Sequence, residues 1–443
     1  MATRLKSPFI LSILIFLSWA LLFYLKGNLT GPLVGDEADH INRGLQLSRE
    51  GFAAFADGYR PPLFVLITSA LSYILHDGDL IVGARLFNLA LVSAIPGVWL
   101  YASKSDTTDR VMCALMAVFT SIWLPLFHYG APAIAEGVSF FALNLLLIMT
   151  ISFSSPKSLA KNIGKAFVCG FLIALLTLSK ANNILVAPGC AIAAFFLIKS
   201  GLVGRVSICL VMALVAAILI FPWVAFLHHQ SGEYKLTTTG GLNVLIGTGH
   251  NFIGNTDRLD PTALPDKYIL SHFEFHQTPN GPSALSVEDE VSLAMAKNRF
   301  ELDDIAKQIG IRIWKTYPAE QSIYASLKVL HSVGGSLRGG TDYALLLFAA
   351  ITIVCSIFCL INNIHRPIIS LHWLLAFAGF FVSFVFLQPI RFKTFYFDSS
   401  ALLVISATLS FIMSRMCKAS PYARASMFAE SNTRQRNMSD LVR

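Results

Sequence analysis

Long apolar stretches separated by short polar steps dominate the chain. The first runs from Pro8 to Leu25. Others cover roughly 80–102, 111–129, 131–153, 166–178, 184–198 and 206–227, then 343–361, 368–387 and 400–417. An α-helix needs about 17–25 such residues to cross a hydrocarbon core of about 30 Å. The pattern therefore predicts an all-α polytopic membrane protein with about 10–11 transmembrane helices. One further run, Leu63 to Leu75, is short for a crossing. Between Glu37 and Arg49 the apolar residues Ile41, Leu45 and Leu47 alternate with charges, which predicts an amphipathic helix lying on a membrane surface. From His228 to Arg338 the chain is polar. Its start, Thr237 to Asn243 and on through Gly247, Gly249, His250, Asn251, Gly254 and Asn255, is rich in turn-forming residues and predicts an ordered loop with little helix. Ser286-Val287-Glu288-Asp289 reads as a helix cap, followed by an amphipathic helix broken near Tyr317-Pro318.

Charge decides the orientation. The chain is 55% hydrophobic, with a formal net charge of +8. Its Lys and Arg cluster in short loops: Lys104 with Arg110, Lys157 with Lys161 and Lys165, and Lys199 with Arg205. If Leu63–Leu75 crossed the membrane, those loops would all lie outside, against the positive-inside rule. As a re-entrant or juxtamembrane helix it leaves them inside. The outer face then carries the first loop, 27–60, and the large segment, 228–340. A membrane module covers 1–227, more spans cover 341–417, and a polar tail, 418–443, stays inside and disordered. No loop combines clustered Lys/Arg with aromatics, which argues against nucleic acid as a partner. The seven cysteines lie in or at the ends of apolar runs, which argues against an outer disulfide framework.

The candidate chemistry sits in the first outer loop. Gly35-Asp36-Glu37-Ala38-Asp39-His40 places acids just outside the first helix, where partial desolvation suits a carboxylate to proton abstraction. On the same expected face lie Arg60-Pro61-Pro62, Glu136 opening an apolar helix, Lys180 ending another, and Arg391-Phe392-Lys393 late in the chain. Asp36 and Glu136 could jointly hold a divalent cation, although the chemistry does not demand one. His250, like Asp39 and His40, reads first as a surface or structural residue.

In this order the motifs resemble the GT-C class of membrane glycosyltransferases, closest to the bacterial aminoarabinose transferase and protein O-mannosyltransferase-like branch. The motif order covers about residues 8–260. One departure is Ala181-Asn182-Asn183, where a small, often Gly-containing continuation is expected. The resemblance implies an inverting transfer of a sugar from a polyprenyl-phosphate donor to a glycan, lipid or protein acceptor, in a bacterial inner membrane with the site facing the periplasm. It implies Asp36 as general base, with Glu37 and Glu136 as further catalytic acids. Arg60, Lys180, Arg391 and Lys393 would bind the donor phosphate, with no required cofactor. The rival readings are a transporter or flippase of lipid-linked glycans and a noncatalytic membrane scaffold. A transporter would be expected to show polar breaks at mid-bilayer in paired repeats, which the sequence lacks.

Overall fold

The structure, a computed structural model, describes residues 2–33, 36–104, 109–154, 159–248, 276–278, 281–283, 285–319, 321–322, 325–326, 329, 342–363, 366–385 and 394–419. Arg391, Lys393, His250 and the tail lie outside those residues. The described chain is helical, apart from one short antiparallel hairpin, β1 (His276–Thr278) with β2 (Gly281–Ser283). Five helices are long and apolar enough to cross a membrane, and a sixth span forms if one bent pair counts as a single element.

The first, α1 (Ala2–Leu25), is followed by the amphipathic α2 (Glu37–Glu50) and the short α3 (Pro62–Ser72). At about 1.5 Å per residue α3 is only about 16 Å long, too short to cross a hydrocarbon core. It packs against α2 where Gly44 leaves no side chain; a Cβ there would meet Thr68 Oγ1 at 2.2 Å. Next come α4 (Asp77–Ala102), α5 (Arg110–Ile122) and α6 (Leu124–Gly130). The last two are bent by 61° about Trp123. Pro125 explains the bend, because it lacks an N–H and its ring clashes with the preceding turn.

Then follow α7 (Glu136–Ile151), α8 (Leu159–Ser179), α9 (Val186–Leu197) and α10 (Leu202–Ser231), the last stopped by Gly232 at φ 74°. The apolar run 131–153 is therefore helical only from Glu136, where the turn before it ends. Late in the chain come α11 (Gly240–Gly247), α12 (Val287–Ala294), α13 (Arg299–Thr316), α14 (Asp342–Ile361), α15 (Arg366–Val385) and α16 (Ser399–Ala419).

The α11 helix corrects the expectation of loop after Thr237. Leu242 and Leu245 supply an apolar face that packs on Ala306, Ile309 and Ile313 of α13. Glycine is required at 241, since a Cβ there would lie 1.8 Å from the Asp303 carbonyl oxygen. The cap at Ser286 is formed: its hydroxyl accepts from Asp289 N–H at 3.2 Å.

Contacts between distant residues show which helix ends lie together. Lys104, just past α4, bonds Ser7 near the start of α1. Lys165 of α8 reaches the Ser152 carbonyl just past α7 at 2.5 Å, and Ser410 of α16 donates to Asp109 at the head of α5. At the opposite end, Arg85 of α4 meets the residues after α1, and Lys180 after α8 meets Glu136 at the head of α7. The basic loops and the acidic first loop thus occupy opposite ends. The apolar core runs between them around Trp99, Phe127, Phe140 and Phe153, with α1 on its outside, only 11% of its apolar window buried, and α16 well inside, at 83%.

Candidate functional site

The loop that follows α1 is anchored by a buried arginine. Arg85 uses all five of its N–H donors. Nε and Nη2 donate to the two oxygens of Glu37 at 2.9 and 2.7 Å, Nη1 to the carbonyls of Leu29 and Gly31 at 3.0 and 2.8 Å, and Nη2 also to that of Pro32 at 2.9 Å. Glu37 also accepts from Ala133 N–H at 2.7 Å, which ties the loop to the turn before α7. Asn88, one turn on from Arg85, holds that same turn through the carbonyls of Pro132 and Ile134.

Asp36 begins α2 but makes no capping hydrogen bond with its side chain. The carboxylate accepts instead from Arg60 Nη2 at 2.8 Å. Arg60 Nε donates to Asp39 at 2.6 Å, and Asp39 also accepts from Arg43 at 3.0 Å. Arg43 in turn grips Asp57 with both terminal nitrogens, at 2.8 and 2.7 Å. Arg60 is held firmly as a cation. Burial opposes its charge, but the nearby carboxylate of Asp36 and the hydrogen bond to Asp39 outweigh burial and push its pKa up. Asp36, whose side chain is 25% exposed, keeps access to solvent.

Glu136 and Lys180 form a second pair at 2.7 Å, with the Glu136 side chain only 3% exposed. The two pairs meet around His40, one turn on from Asp36. This ring is buried edge-on against Phe64, and its Nδ1 has no hydrogen-bond partner among the described residues. Burial and then the charge of Arg60 push its pKa down to about 4, while Glu136, Asp36 and Asp39 pull the other way. Four residues far apart in sequence, Asp36, Arg60, Glu136 and Lys180, therefore converge at one end of the helices.

The three acids expected to be catalytic part company here. Asp36 and Glu37 diverge, as neighbours on a helix must. Glu37 and Glu136 are buried and paired with Arg85 and Lys180, and Asp36 is the most exposed of the three, beside Arg60. Asp36 and Glu136 each face a cation, and no group of three His, Cys, Asp or Glu converges among the described residues.

The sequence reading passed over Arg43, Asp57, Tyr59, Arg85 and Arg299, and gave Asp39 and His40 a minor part. Two of these left a signal. Arg85 is a lone charge inside an apolar run, which is costly unless paired. Arg43 stands four residues after Asp39, a spacing that brings opposite charges together on a helix. No protein-family model matches the chain, and a search of curated proteins finds no match to it.

Proposed function

We propose that this chain is an inverting glycosyltransferase that uses a polyprenyl-phosphate sugar at the outer face of a bacterial inner membrane. On this reading α1, α4, bent α5–α6, α7, α8, α9 together with the 3-10 turn Ala181–Leu185 before it, α10, α14, α15 and α16 each cross once, within the 10–11 crossings expected from the apolar runs. The large segment 228–340 and the first loop then face the periplasm. The observation that carries the reading is that the ion pairs Asp36–Arg60 and Glu136–Lys180 both flank the buried His40, at the end of the helices that holds the first loop.

The chemistry follows from those groups. A guanidinium binds two phosphate oxygens at once, with a geometry an ammonium cannot match. A donor phosphate arriving at Arg60 competes with Asp36 for the same N–H groups. Once displaced, Asp36 is free to accept the proton of the acceptor hydroxyl as that oxygen attacks the anomeric carbon. The bond from that carbon to the phosphate oxygen breaks, and its electron pair leaves with the lipid phosphate, whose charge Arg60 and Lys180 neutralise. A single displacement inverts the anomeric centre. Glu136 holds Lys180, and Arg85 with Glu37 holds the loop that presents Asp36. Arg391 and Lys393 stay in the proposal as further phosphate-binding groups on the strength of the motif order alone.

The acceptor is a glycan, lipid or protein hydroxyl, and no resident cofactor is required by this scheme. The test is mass spectrometry of surface glycans from cells with and without the protein. Loss of one sugar from a defined glycan, restored by the wild-type chain and not by Asp36→Asn, is the expected result. Loss of a whole glycan, with its lipid-linked precursor held on the inner face, would favour the flippase reading instead.

A further inference from the structure

Three guanidinium groups surround one ring. Tyr59 has Arg299 at 4.5 Å from its centroid, Arg60 at 4.6 Å and Arg43 at 5.0 Å. Each contact is attractive alone, but the three like charges repel one another. Two of them are balanced: Arg43 by Asp39 and Asp57, and Arg60 by Asp36 and Asp39. Arg299 has no carboxylate within ion-pair distance among the described residues. It is also the first residue of α13, the helix end where a cation is disfavoured. The acid that could offset it, Glu301, is turned back onto the Lys297 N–H at 2.8 Å.

The position of Arg299 is nonetheless well defined. Its neighbour Phe300 packs against the cluster formed by Leu47, Phe55 and Trp223, which fastens the head of α13 over the first loop. Thr237 Oγ1 donates to the Tyr59 carbonyl at 3.0 Å, and Thr238 N–H to that of Gly58 at 2.9 Å. The segment leading to α11 thus fixes the backbone of Gly58 and Tyr59. Arg60 and Arg299 can be no further apart than their two ring distances laid end to end, about 9 Å. Within that bound both guanidinium groups are in reach of oxyanions on a single ligand.

We propose that Arg299 is a second oxyanion-binding residue, which together with Arg60 takes a phosphate-bearing ligand across the Tyr59 ring. The inference rests on the glycosyltransferase reading only in assigning the donor phosphate to Arg60. The phosphate could belong to the donor lipid or to the acceptor, and the two sources separate experimentally. The full-length chain is placed in nanodiscs of neutral phosphatidylcholine, and two probes are titrated: undecaprenyl phosphate in the bilayer, and inorganic phosphate in solution with and without saturating undecaprenyl phosphate. Loss of one charge-assisted contact should weaken binding about 10- to 100-fold in Arg299→Gln, with Arg299→Lys between it and wild type. Weakening of the lipid probe assigns Arg299 to the donor. Weakening of inorganic phosphate alone, with the lipid already bound, assigns it to the acceptor.

Wild-type binding of both probes by Arg299→Gln overturns the proposal. Should that variant fail to fold, phenylglyoxal modification of the wild-type chain, read by peptide mass spectrometry, decides instead. Arg299 should be protected by one of the two probes, and equal modification with and without both overturns the proposal. The two readings also fail separately. If inorganic phosphate binds through Arg299 while undecaprenyl phosphate does not bind at all, the inference stands and the lipid-donor reading falls. If Arg60→Gln weakens the lipid probe and Arg299→Gln weakens neither, the inference falls alone.

Discussion

Replacing Arg85 with methionine should be among the most damaging single changes available in this chain. The side chain is 5% exposed and its partner Glu37 is 3% exposed. Methionine fills much of the same volume but donates nothing. Glu37 would be left buried without the cation that holds both its oxygens. Breaking a buried pair from one side costs about 3–5 kcal/mol. The carbonyls of Leu29, Gly31 and Pro32 lose their donor as well, each adding up to about 1 kcal/mol where water cannot replace it. Arg85→Lys should recover little, because an ammonium cannot span both Glu37 oxygens and three carbonyls together. Removing both charges in Arg85→Met/Glu37→Gln leaves no uncompensated ion, so the double variant should be less damaged than the sum of the singles by more than about 1 kcal/mol. The assay is unfolding in mixed micelles by SDS titration, with the three variants and wild type compared. An Arg85→Met protein within about 1 kcal/mol of wild type, or strict additivity in the cycle, would refute the claim that this pair anchors the first loop.

Acid should destabilise the protein through His40. Its folded pKa, about 4, lies below the ordinary 6.5, so the unfolded chain takes up the proton first. Stability is therefore full above about pH 6.5 and falls as the pH drops towards 4, by roughly 3 kcal/mol for this group alone; a His40→Gln protein, which carries no such proton, should lose measurably less between pH 7 and 4. Asp303 accepts from the N–H groups of Gly241 and Leu242 at 2.7 and 3.1 Å, so Asp303→Ala should cost about 1–2 kcal/mol and speed proteolytic cleavage within α11. Gly241→Ala should do at least as much damage, since its Cβ would press on the Asp303 carbonyl, and unchanged cleavage in both variants would remove that contact as a support. Cysteine introduced at the exposed Asn298 should react with an impermeant reagent added outside intact cells, and cysteine at Arg434 should not. The reverse pattern would invert the topology.

Periodicity made the helices legible, because an apolar run of spanning length has few alternatives. The amphipathic helix α2 was readable from Ile41 and Leu47 among charges, and both are buried. What the pattern could not show was where a run stops being helix. The turn ahead of Glu136 is apolar, and its backbone groups are taken up instead by the side chains of Asn88 and Glu37 from other helices. The helix after Thr239 was missed for a related reason: Gly240-Gly241 normally signals a turn, but here glycine admits the backbone of α13. Asp36, Arg60, Glu136 and Lys180 could be singled out as charges at the ends of apolar runs. Their pairing, and the separate fates of Asp36 and Glu37, depend on contacts across 24, 44 and 48 positions that no local pattern encodes. Tyr59 and Arg299 belong to that same class.

The central claim is that Asp36 takes the proton from an acceptor while Arg60 holds a lipid phosphate. The most direct measurement is sugar transfer by the purified chain in lipid, with polyprenyl-phosphate sugars extracted from the native membrane as donors. Wild type, Asp36→Asn and Glu37→Gln are compared at equal amounts of folded protein. Asparagine keeps the size of the side chain but cannot accept the proton, so turnover should fall about 10²–10⁴-fold while donor binding persists. Turnover in Asp36→Asn close to that of wild type, or no transfer by wild type from any of those donors, would contradict the account.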